Sequence, residues 1–450
     1  MLAPSSWVED AFFEESEPTP IDGGSTNYGP LWHAVSPRWG HSMHTMCSYH
    51  GMFPPKLAHY FIERYSREGD LVLDPFSGRG TTTLQARVEG RRTIGNDLNP
   101  LAYVLTRAKA APPTWTAVIR KIDQLERGYK RKAVDPDVHP DIKMLYHTNT
   151  LTQLVYLRSS LFRRPMSAWS RVDFMVAGAM AGILHGAHRR DGTSQYLSIS
   201  MPNTFSMSPS YVAKFIRDKR LLPPDQNVFE CLRDKLARLY LDDVSGLPGL
   251  TTNRDATALL HGRDLRPKTV DLLLTSPPYL DVVNYGTSNW IRLWWLGLDD
   301  VAREAGAGRR KLNAKLDHQH SYETYADFML RSFKGARRVL SKTGVAVFVI
   351  GDVTMPGRAS RALAEEVWDQ VGDATGLRLL DVIEDSLPTQ NKVSRIWGDT
   401  KGKATERDCV LVLCRSDGEP HTDVEQIDWA ESYRDGGADA AHARLRRRRT

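Results

Sequence analysis

Cysteine is scarce in this chain of 450 residues, and the four present (Cys47, Cys231, Cys409 and Cys414) are scattered without a C-x-x-C pair. That pattern excludes a disulfide framework and a zinc knuckle and reads as reduced thiols of a cytosolic protein. Long hydrophobic runs are missing too. The longest, residues 174–184, falls short of the ~20 apolar residues that span a bilayer, and its alanines and glycines suit a tightly packed core helix. The N-terminus is acidic where a secretory leader carries a basic region, so no signal peptide is expected. Neither sign of charge dominates: 60 Lys and Arg against 54 Asp and Glu leave a net charge of +6 and a pI near 9.0. So mild a basic balance is compatible with a polyanionic partner without requiring one. Hydrophobic content of 41% and charged content of 25% are ordinary for a globular protein, and the length allows one large core or two smaller ones.

What is present concentrates at strand tips. Asp271-Leu272-Leu273-Leu274 is an apolar run stopped at Thr275-Ser276-Pro277-Pro278-Tyr279. Two consecutive prolines fix φ twice and remove two backbone donors, so the chain should leave the strand extended and stiff. The Ser276 hydroxyl precedes that corner and the Tyr279 ring follows it. Together they could hold a flat molecule with polar edges, oxygens gripping an exocyclic amine while the ring stacks on its face. Taken alone, the same residues also read as a proline-rich turn with a core tyrosine.

An earlier strand, Leu71-Val72-Leu73, runs into Asp74-Pro75-Phe76-Ser77-Gly78-Arg79-Gly80-Thr81-Thr82-Thr83, with a helix expected over 84–89. Strand, glycine-rich turn and helix open a Rossmann-like unit in which Gly78 and Gly80 let the backbone approach a ligand. The next strand, 92–95, ends at Asn96-Asp97, and an acid there is placed to hold ribose hydroxyls. A nicotinamide dehydrogenase would want G-x-G-x-x-G, whereas here Thr83 stands at the third glycine and an Asp-Pro opens the loop. Asp74 suits a cationic amine, the glycine turn a carboxylate, and Asp97 a ribose. S-adenosylmethionine offers all three.

Residues 111–249 interrupt this pattern with helical runs at 115–129, 151–161, 172–188, 210–218 and 228–240. Basic residues recur there (Arg158, Arg163, Arg164, Arg171, Arg217, Lys219, Arg220). The segment 196–209 is dense in small polar and aromatic side chains of the kind that contact phosphates and bases, a plain loop between helices being the alternative. The α/β pattern resumes at Asn253-Arg254-Asp255, with Asp255 preferred to Asp264 as the strand-end acid. A tryptophan-rich helix at 290–296 is expected in the core. Further helices fall at 325–340 and 361–371, and strands at 345–350, 378–383 and 409–414. The basic stretch 302–319 reads as a mobile loop whose Arg309, Arg310, Lys311 and Lys315 could track phosphates, and the arm 391–406 is basic and contains glycine. His41, His44, Cys47 and His50 repeat a ligand type at every third residue, but that spacing is poor for zinc and no second cluster follows, so no metal is expected. Both ends read as poorly ordered.

Three segments resemble one family. His50-Gly51-Met52-Phe53-Pro54-Pro55-Lys56-Leu57 resembles the motif that precedes the cofactor loop of amino-methylating DNA methyltransferases. Asp74-Pro75-Phe76-Ser77-Gly78-Arg79-Gly80-Thr81-Thr82 is similar to their cofactor motif nearly letter for letter. Thr275-Ser276-Pro277-Pro278-Tyr279 resembles their catalytic motif in its cytosine-N4 form, adenine-N6 members more often carrying Asp or Asn where Ser276 stands. The resemblance covers residues 41–110 and 250–415. It implies a Rossmann-like, seven-stranded S-adenosylmethionine-dependent methyltransferase sheet of the α/β class with a largely helical insertion. The implied organisation is a lead-in at 1–30, a catalytic domain at 31–110 and 250–415, a target-recognition region at 111–249, and a polar, basic tail at 416–450.

By position, Asp74, Gly78 and Gly80 are expected around the methionine part of the cofactor, Asp97 on the ribose, Asp255 on the adenine amine and Phe53 packed nearby. Pro75, Phe76, Thr81 and Thr275 complete that set, and Ser276, Pro277, Pro278 and Tyr279 form the catalytic corner. The implied activity is methyl transfer to N4 of cytosine in DNA, with N6 of adenine or an RNA base as alternatives; the intact Gly78, Gly80, Asp97 and Ser276 argue against a non-catalytic binding module. DNA and a cognate restriction endonuclease are the implied partners, with no membrane and no metal, in a cytoplasmic, nucleoid-associated setting. Two features depart from the pattern. The cofactor motif precedes the catalytic one, where many members with this wording have the reverse order, and the insertion falls between the second and third strands.

Overall fold

The computed structural model describes residues 32, 39–129, 137–189, 191–202, 206–278, 285–301, 310–312, 316, 321–352, 362–386 and 407–420. The lead-in 1–30, the tail beyond residue 420, the arm 391–406 and most of the basic stretch 302–319 lie outside the described residues. Helix α1 (Pro55–Tyr65) starts where Pro54 holds extended backbone and Pro55 occupies the first helical position. Strand β1 (Leu71–Asp74) ends at the Asp-Pro step, and α2 (Thr81–Val88) follows Gly80, whose φ of 78° is left-handed. Next come β2 (Arg92–Asn96) and α3 (Pro100–Ala110), a helix the sequence reading left unassigned although the Asn99 side chain caps it by accepting from Leu101 N.

The insertion contributes α4 (Trp115–Gly128), α5 (Pro140–Lys143), α6 (Thr148–Leu161), α7 (Arg171–Ala181), α8 (Pro209–Lys219) and α9 (Val228–Leu239). Thr114, Ser170, Ser208 and Asn227 cap four of these starts with side-chain oxygens, Ser170 within a capping box. The chain then forms β3 (Leu250–Thr252), α10 (Ala256–His261), β4 (Val270–Thr275), α11 (Tyr285–Ser288), α12 (Trp290–Trp295), α13 (Tyr322–Val339), β5 (Leu340–Gly351), α14 (Leu363–Val371), β6 (Leu377–Ser386) and β7 (Arg407–Arg415).

The strands make one seven-stranded sheet in the order β3-β2-β1-β4-β5-β7-β6. The first five are parallel, and β7 runs antiparallel between β5 and β6. This is the Rossmann-like methyltransferase sheet expected from the motifs. Alternation along the central strands feeds two cores. Leu73, Leu273, Ala346 and Phe348 pack with α10, α13 and α14, while Val72, Leu272, Leu274, Val345 and Val347 pack on α1.

A third core belongs to the insertion, and it is shared. Residues of α4, α6, α7 and α9 bury against α2, α3 and the tryptophan-rich α12. Trp290, Trp294 and Trp295 are buried as anticipated, with Trp295 Nε1 donating to Ala177 O at 3.1 Å and Trp290 Nε1 to Met207 O at 2.8 Å. The helix expected over 172–188 stops at Ala181. A Cβ at Gly182 would fall 1.8 Å from Met46 O, and one at Gly186 would fall 2.4 Å from the Tyr196 ring. The chain is crossed too closely at both points for the apolar run to continue as a helix. The segment 196–209, read as a candidate base-contacting loop, turns inward where it is described. Leu197, Ser198, Ile199, Met201, Ser206 and Met207 are all buried, so these six side chains are packed as in a plain loop, while residues 203–205 lie outside the described residues.

Candidate cofactor and catalytic site

In an open parallel sheet, ligands bind beyond the carboxyl ends of the strands where the strand order reverses. Here that point lies between β1 and β4, which hold the two motifs. A cavity of about 630 Å³ opens there. Phe76, Gly78, Asp97, Asp255, Ser276 and Pro278, all expected site residues, line it.

Asp97 is its polar centre. Its Oδ2 accepts from Gly78 N at 2.8 Å and its Oδ1 from Asn99 N at 2.8 Å. Burial nevertheless pushes its pKa up to about 6, so the carboxylate gains from further neutral donors such as ribose hydroxyls. Gly78 takes φ 49°, a left-handed conformation that a glycine adopts without strain. Gly80 is required for a different reason. A Cβ there would sit 2.9 Å from Thr106 Cα, so the turn reaches its position only because α2 and α3 pack tightly behind it.

The remaining expected residues stand one step back. Asp74 is buried, and its Oδ1 accepts from Thr275 Oγ1 at 2.7 Å and from Phe76 N at 3.2 Å. Burial raises its pKa to about 7 against these bonds. Asp74 and Thr275 lie beneath the cavity rather than on its lining, and their bond ties the cofactor turn to the catalytic corner. The Pro75 carbonyl accepts from Asn96 Nδ2 at 3.0 Å, and the Thr81 hydroxyl accepts from Arg79 Nε at 3.3 Å. Both residues therefore support the turn. Phe53 packs against the α1 core and Pro277 is buried; neither lines the cavity. Asp255 caps α10, its Oδ1 accepting from Ala258 N at 2.9 Å and Thr257 Oγ1 at 2.6 Å. Tyr279 lies outside the described residues.

Sequence reasoning missed several wall residues: Tyr49, Asn99, Tyr285, Leu316 and Phe328. The Tyr49 hydroxyl accepts from Asn99 Nδ2 at 2.8 Å, and its ring stacks on Tyr285 with centroids 5.9 Å apart. Asn99 carried a usable signal, since an Asx-Pro step two residues after a strand-end acid caps the next helix and brings its own N–H to that acid. Tyr49 immediately precedes the His50–Leu57 motif, which was its one signal, whereas Phe328 carried none, being remote in sequence from every motif.

His41 and His44 do not assemble a metal site. His41 Nε2 bonds the Asp243 carbonyl at 2.8 Å and His44 Nε2 bonds Gln85 Oε1 at 2.9 Å. Among the described residues the grouping with ligand-like spacing is His59, Glu63 and Glu89. There His59 Nδ1 lies 2.5 Å from Glu89 Oε1 and Arg91 Nη1 lies 2.8 Å from Glu63 Oε1. Both acids are thus engaged by protein cations or donors, Arg91 bringing positive charge where a metal would sit.

A DNA methylase model of the N6/N4 methyltransferase type matches residues 12–106 and 270–406, just over half of the chain. The chain belongs to the N6/N4 DNA methylase family. Similar proteins include the type II methyltransferase M.MvaI of Kocuria varians, 22% identical over 295 residues, which is 60% of this chain and 61% of that protein. The type II methyltransferase M.BsoBI of Geobacillus stearothermophilus is 24% identical over 58% of this chain and 53% of its own length. The chain thus spans less than two thirds of either relative. Among solved structures, the rRNA methyltransferase AviRa of Streptomyces viridochromogenes covers 83% of this chain and 90% of its own, at 12% identity and a TM-score of 0.29, too distant to bear on function.

The cofactor of this N6/N4 methylase is S-adenosyl-L-methionine, and the donor set fits it. A buried carboxylate at Asp97 awaits neutral donors, a left-handed glycine turn leaves room for a chain, and the aromatic pair Phe76 and Phe328 (centroids 5.7 Å apart) walls a slot for a flat base. Among the described residues, no helix is long and apolar enough to cross a membrane.

Proposed function

We propose that this N6/N4 methylase transfers a methyl group to N4 of cytosine in DNA, in a restriction–modification or related defence setting with a cognate restriction endonuclease as partner. The observation that carries this reading is the placement of Ser276. It lines the same cavity as Asp97 and Gly78, at the tip of the strand next to the cofactor turn. When bound, S-adenosylmethionine supplies an electrophilic methyl on a sulfonium. The chain's task is to make a poor nucleophile attack it. The lone pair of an exocyclic amine is delocalised into the base ring. Ser276 Oγ and the Pro277 carbonyl accept hydrogen bonds from that amine, draw it toward tetrahedral geometry and hold it in line. The target base leaves the duplex to reach the cavity, and Tyr279 stacks on it. No covalent base adduct is needed, and none of the four cysteines follows a proline as a nucleophile of that kind would. In this reading Asp74 and the Gly78–Gly80 turn receive the methionine part, Asp97 the ribose and Asp255 the adenine amine, while 111–249 reads the target. Adenine N6 is the second reading, since the same two oxygens could grip an adenine amine.

The test is expression in a host lacking DNA methylation, followed by mass spectrometry of nucleosides and mapping of modified sites. N4-methylcytosine supports the proposal, N6-methyladenine transfers it to the second reading, and modified RNA with unmodified DNA refutes both. Ser276→Ala should cut turnover by a factor of order 10², as when a positioned polar group is removed, while S-adenosylmethionine binding survives. Unchanged turnover would remove Ser276 from the mechanism.

A further inference from the structure

The basic residues of the insertion do not form one class. Arg158 is half-buried, with Nε donating to Trp294 O at 2.9 Å and Nη2 to Asp299 Oδ1 at 2.7 Å. Arg164 pairs with Asp173 at 2.9 Å and Arg233 with Asp123 at 2.8 Å. Lys235 is buried and donates to Thr45 O at 2.7 Å. These cations hold the insertion together.

Helix α8 is different. Of its residues only Pro209 and Val212 are buried, and Phe215 and Ile216 are half-buried. Lys214, Arg217, Lys219 and the capping Arg220 are all exposed, against one acid, Asp218. The exposed Arg217–Asp218 pair is loose at 3.9 Å, a contact of little worth in water. Tyr211, in the first turn of the same helix, shows 45% of its surface and stacks on Phe215 with centroids 6.3 Å apart. A helix held by so few apolar contacts, with four exposed cations and an exposed ring along it, is poorly explained as a core element.

Its anchor places it. Just before α8, Ser206 N donates to Ser288 O at 2.6 Å, and the Met207 carbonyl accepts from Trp290 Nε1 at 2.8 Å. Ser288 closes α11, whose first residue, Tyr285, lines the cavity. The start of α8 is therefore fastened to the chain that follows the catalytic corner.

We propose that α8 is the element that grips duplex DNA beside the base-accepting cavity, with Lys214, Arg217, Lys219 and Arg220 on backbone phosphates and Tyr211 against the sugar or base at the gap left by the displaced nucleotide. The proposal rests on the DNA-methyltransferase reading above and specifies the surface that reading lacks. Charge complementarity selects the occupant: a polyanion with regularly spaced phosphates matches four cations along one short helix and its cap. Lysine-to-phosphate contacts bring affinity without sequence information, so α8 grips while other elements read.

The experiment compares the full chain with Lys214→Gln/Arg217→Gln/Lys219→Gln, and with a control triple at the amino ends of the strands, away from the cavity, Arg67→Gln/Arg92→Gln/Lys342→Gln, whose residues are also exposed. Fluorescence anisotropy with a labelled 30-base-pair mixed-sequence duplex gives Kd from ~50 to ~200 mM KCl, and calorimetry gives S-adenosylmethionine affinity. Each lost phosphate contact lowers the slope of log K against log salt by about 0.9. The α8 triple should therefore flatten the slope by about 3 and weaken binding at least about tenfold at the lower salt, with cofactor affinity and melting temperature unchanged. The control triple should behave as the wild type. If wild type and both triples bind the duplex alike, α8 does not grip DNA although the DNA reading stands. If the wild type binds S-adenosylmethionine but neither this duplex nor genomic DNA, the reading beneath the proposal fails. Preference for single-stranded RNA over the duplex also overturns it.

Discussion

Replacing Thr275 by valine tests how the two motifs work together. Thr275 Oγ1 donates to Asp74 Oδ1 at 2.7 Å inside a site where both residues are buried. Burial already holds the Asp74 pKa at about 7, with this hydrogen bond opposing the rise. Valine has the same shape and no donor. A hydrogen bond to a charged group contributes about 1.5–3 kcal/mol, and about 1.4 kcal/mol corresponds to one pH unit of titration. Asp74 should therefore titrate near pH 8–9 in Thr275→Val. In its proposed role the Asp74 carboxylate, one step beneath the cavity wall, attracts the cofactor's cationic amine through space. Wild-type affinity for S-adenosylmethionine should then rise as pH increases from 6 through about 7, because Asp74 attracts the amine only after losing its proton. It should fall above about pH 8, where an α-amine loses its own proton. In Thr275→Val the two titrations cross, so the carboxylate appears only as the ammonium vanishes. Affinity should drop by about tenfold at pH 7, and no pH should restore it. Thr275→Ser keeps the hydroxyl and should bind nearly as the wild type does. Calorimetry at several pH values reads all three. A wild-type Kd that is flat between pH 6 and 7.5, or a valine variant equal to wild type at pH 7, refutes the reasoning.

Two further outcomes follow from packing and burial. Gly80→Ala forces a left-handed residue, costing about 1–2 kcal/mol, and drives a Cβ to 2.9 Å from Thr106 Cα. It should lower the melting temperature and weaken S-adenosylmethionine binding together, whereas Gly192→Ala, also left-handed but in open space, should cost stability alone. Burial pulls the Lys235 amine down from 10.5 to about 7. The folded chain then holds that proton less tightly than the unfolded one, so the destabilisation is fully present below pH 7 and is relieved as pH rises toward 10.5. Urea unfolding of wild type and Lys235→Met at pH 6.5 and 9 should show the wild type gaining on the variant at the higher pH. A constant difference would mean that the amine is not held neutral.

Much of the site was legible in residue order. An acid closing an apolar run, two glycines in a turn and a Ser-Pro-Pro corner are local signals. A strand tip, a left-handed turn and a stiff exit each depend on a few neighbouring residues and little else. The same locality explains the strand and helix positions along the two halves of the sheet. The third strand shows in the sequence only through its end acid, and its residues Leu250–Thr252 go unassigned, because a three-residue edge strand with Leu250 exposed has no hydrophobic pattern to read. Residues 172–188 misled because an apolar run with alanines reads as helix whether or not another chain crosses it, and the crossings at Gly182 and Gly186 come from Met46 and Tyr196.

What the order of residues determined by itself was therefore the chemistry on offer: a glycine turn, strand-end acids and an amine-gripping corner. Only the tertiary structure decided how these were divided. It set Asp97 and Ser276 on the cavity wall and withdrew Asp74 and Thr275 beneath it as a buried bond between the two motifs. It brought Tyr49 and Phe328 to the wall beside Asp97 from distant positions. It also spent Arg158, Arg164, Arg233 and Lys235 on internal partners while leaving the cations of α8 in water. Burial and partner choice are properties of neighbours in space. A one-dimensional pattern cannot contain them, because the same arginine binds a carbonyl or a phosphate according to what the fold places beside it.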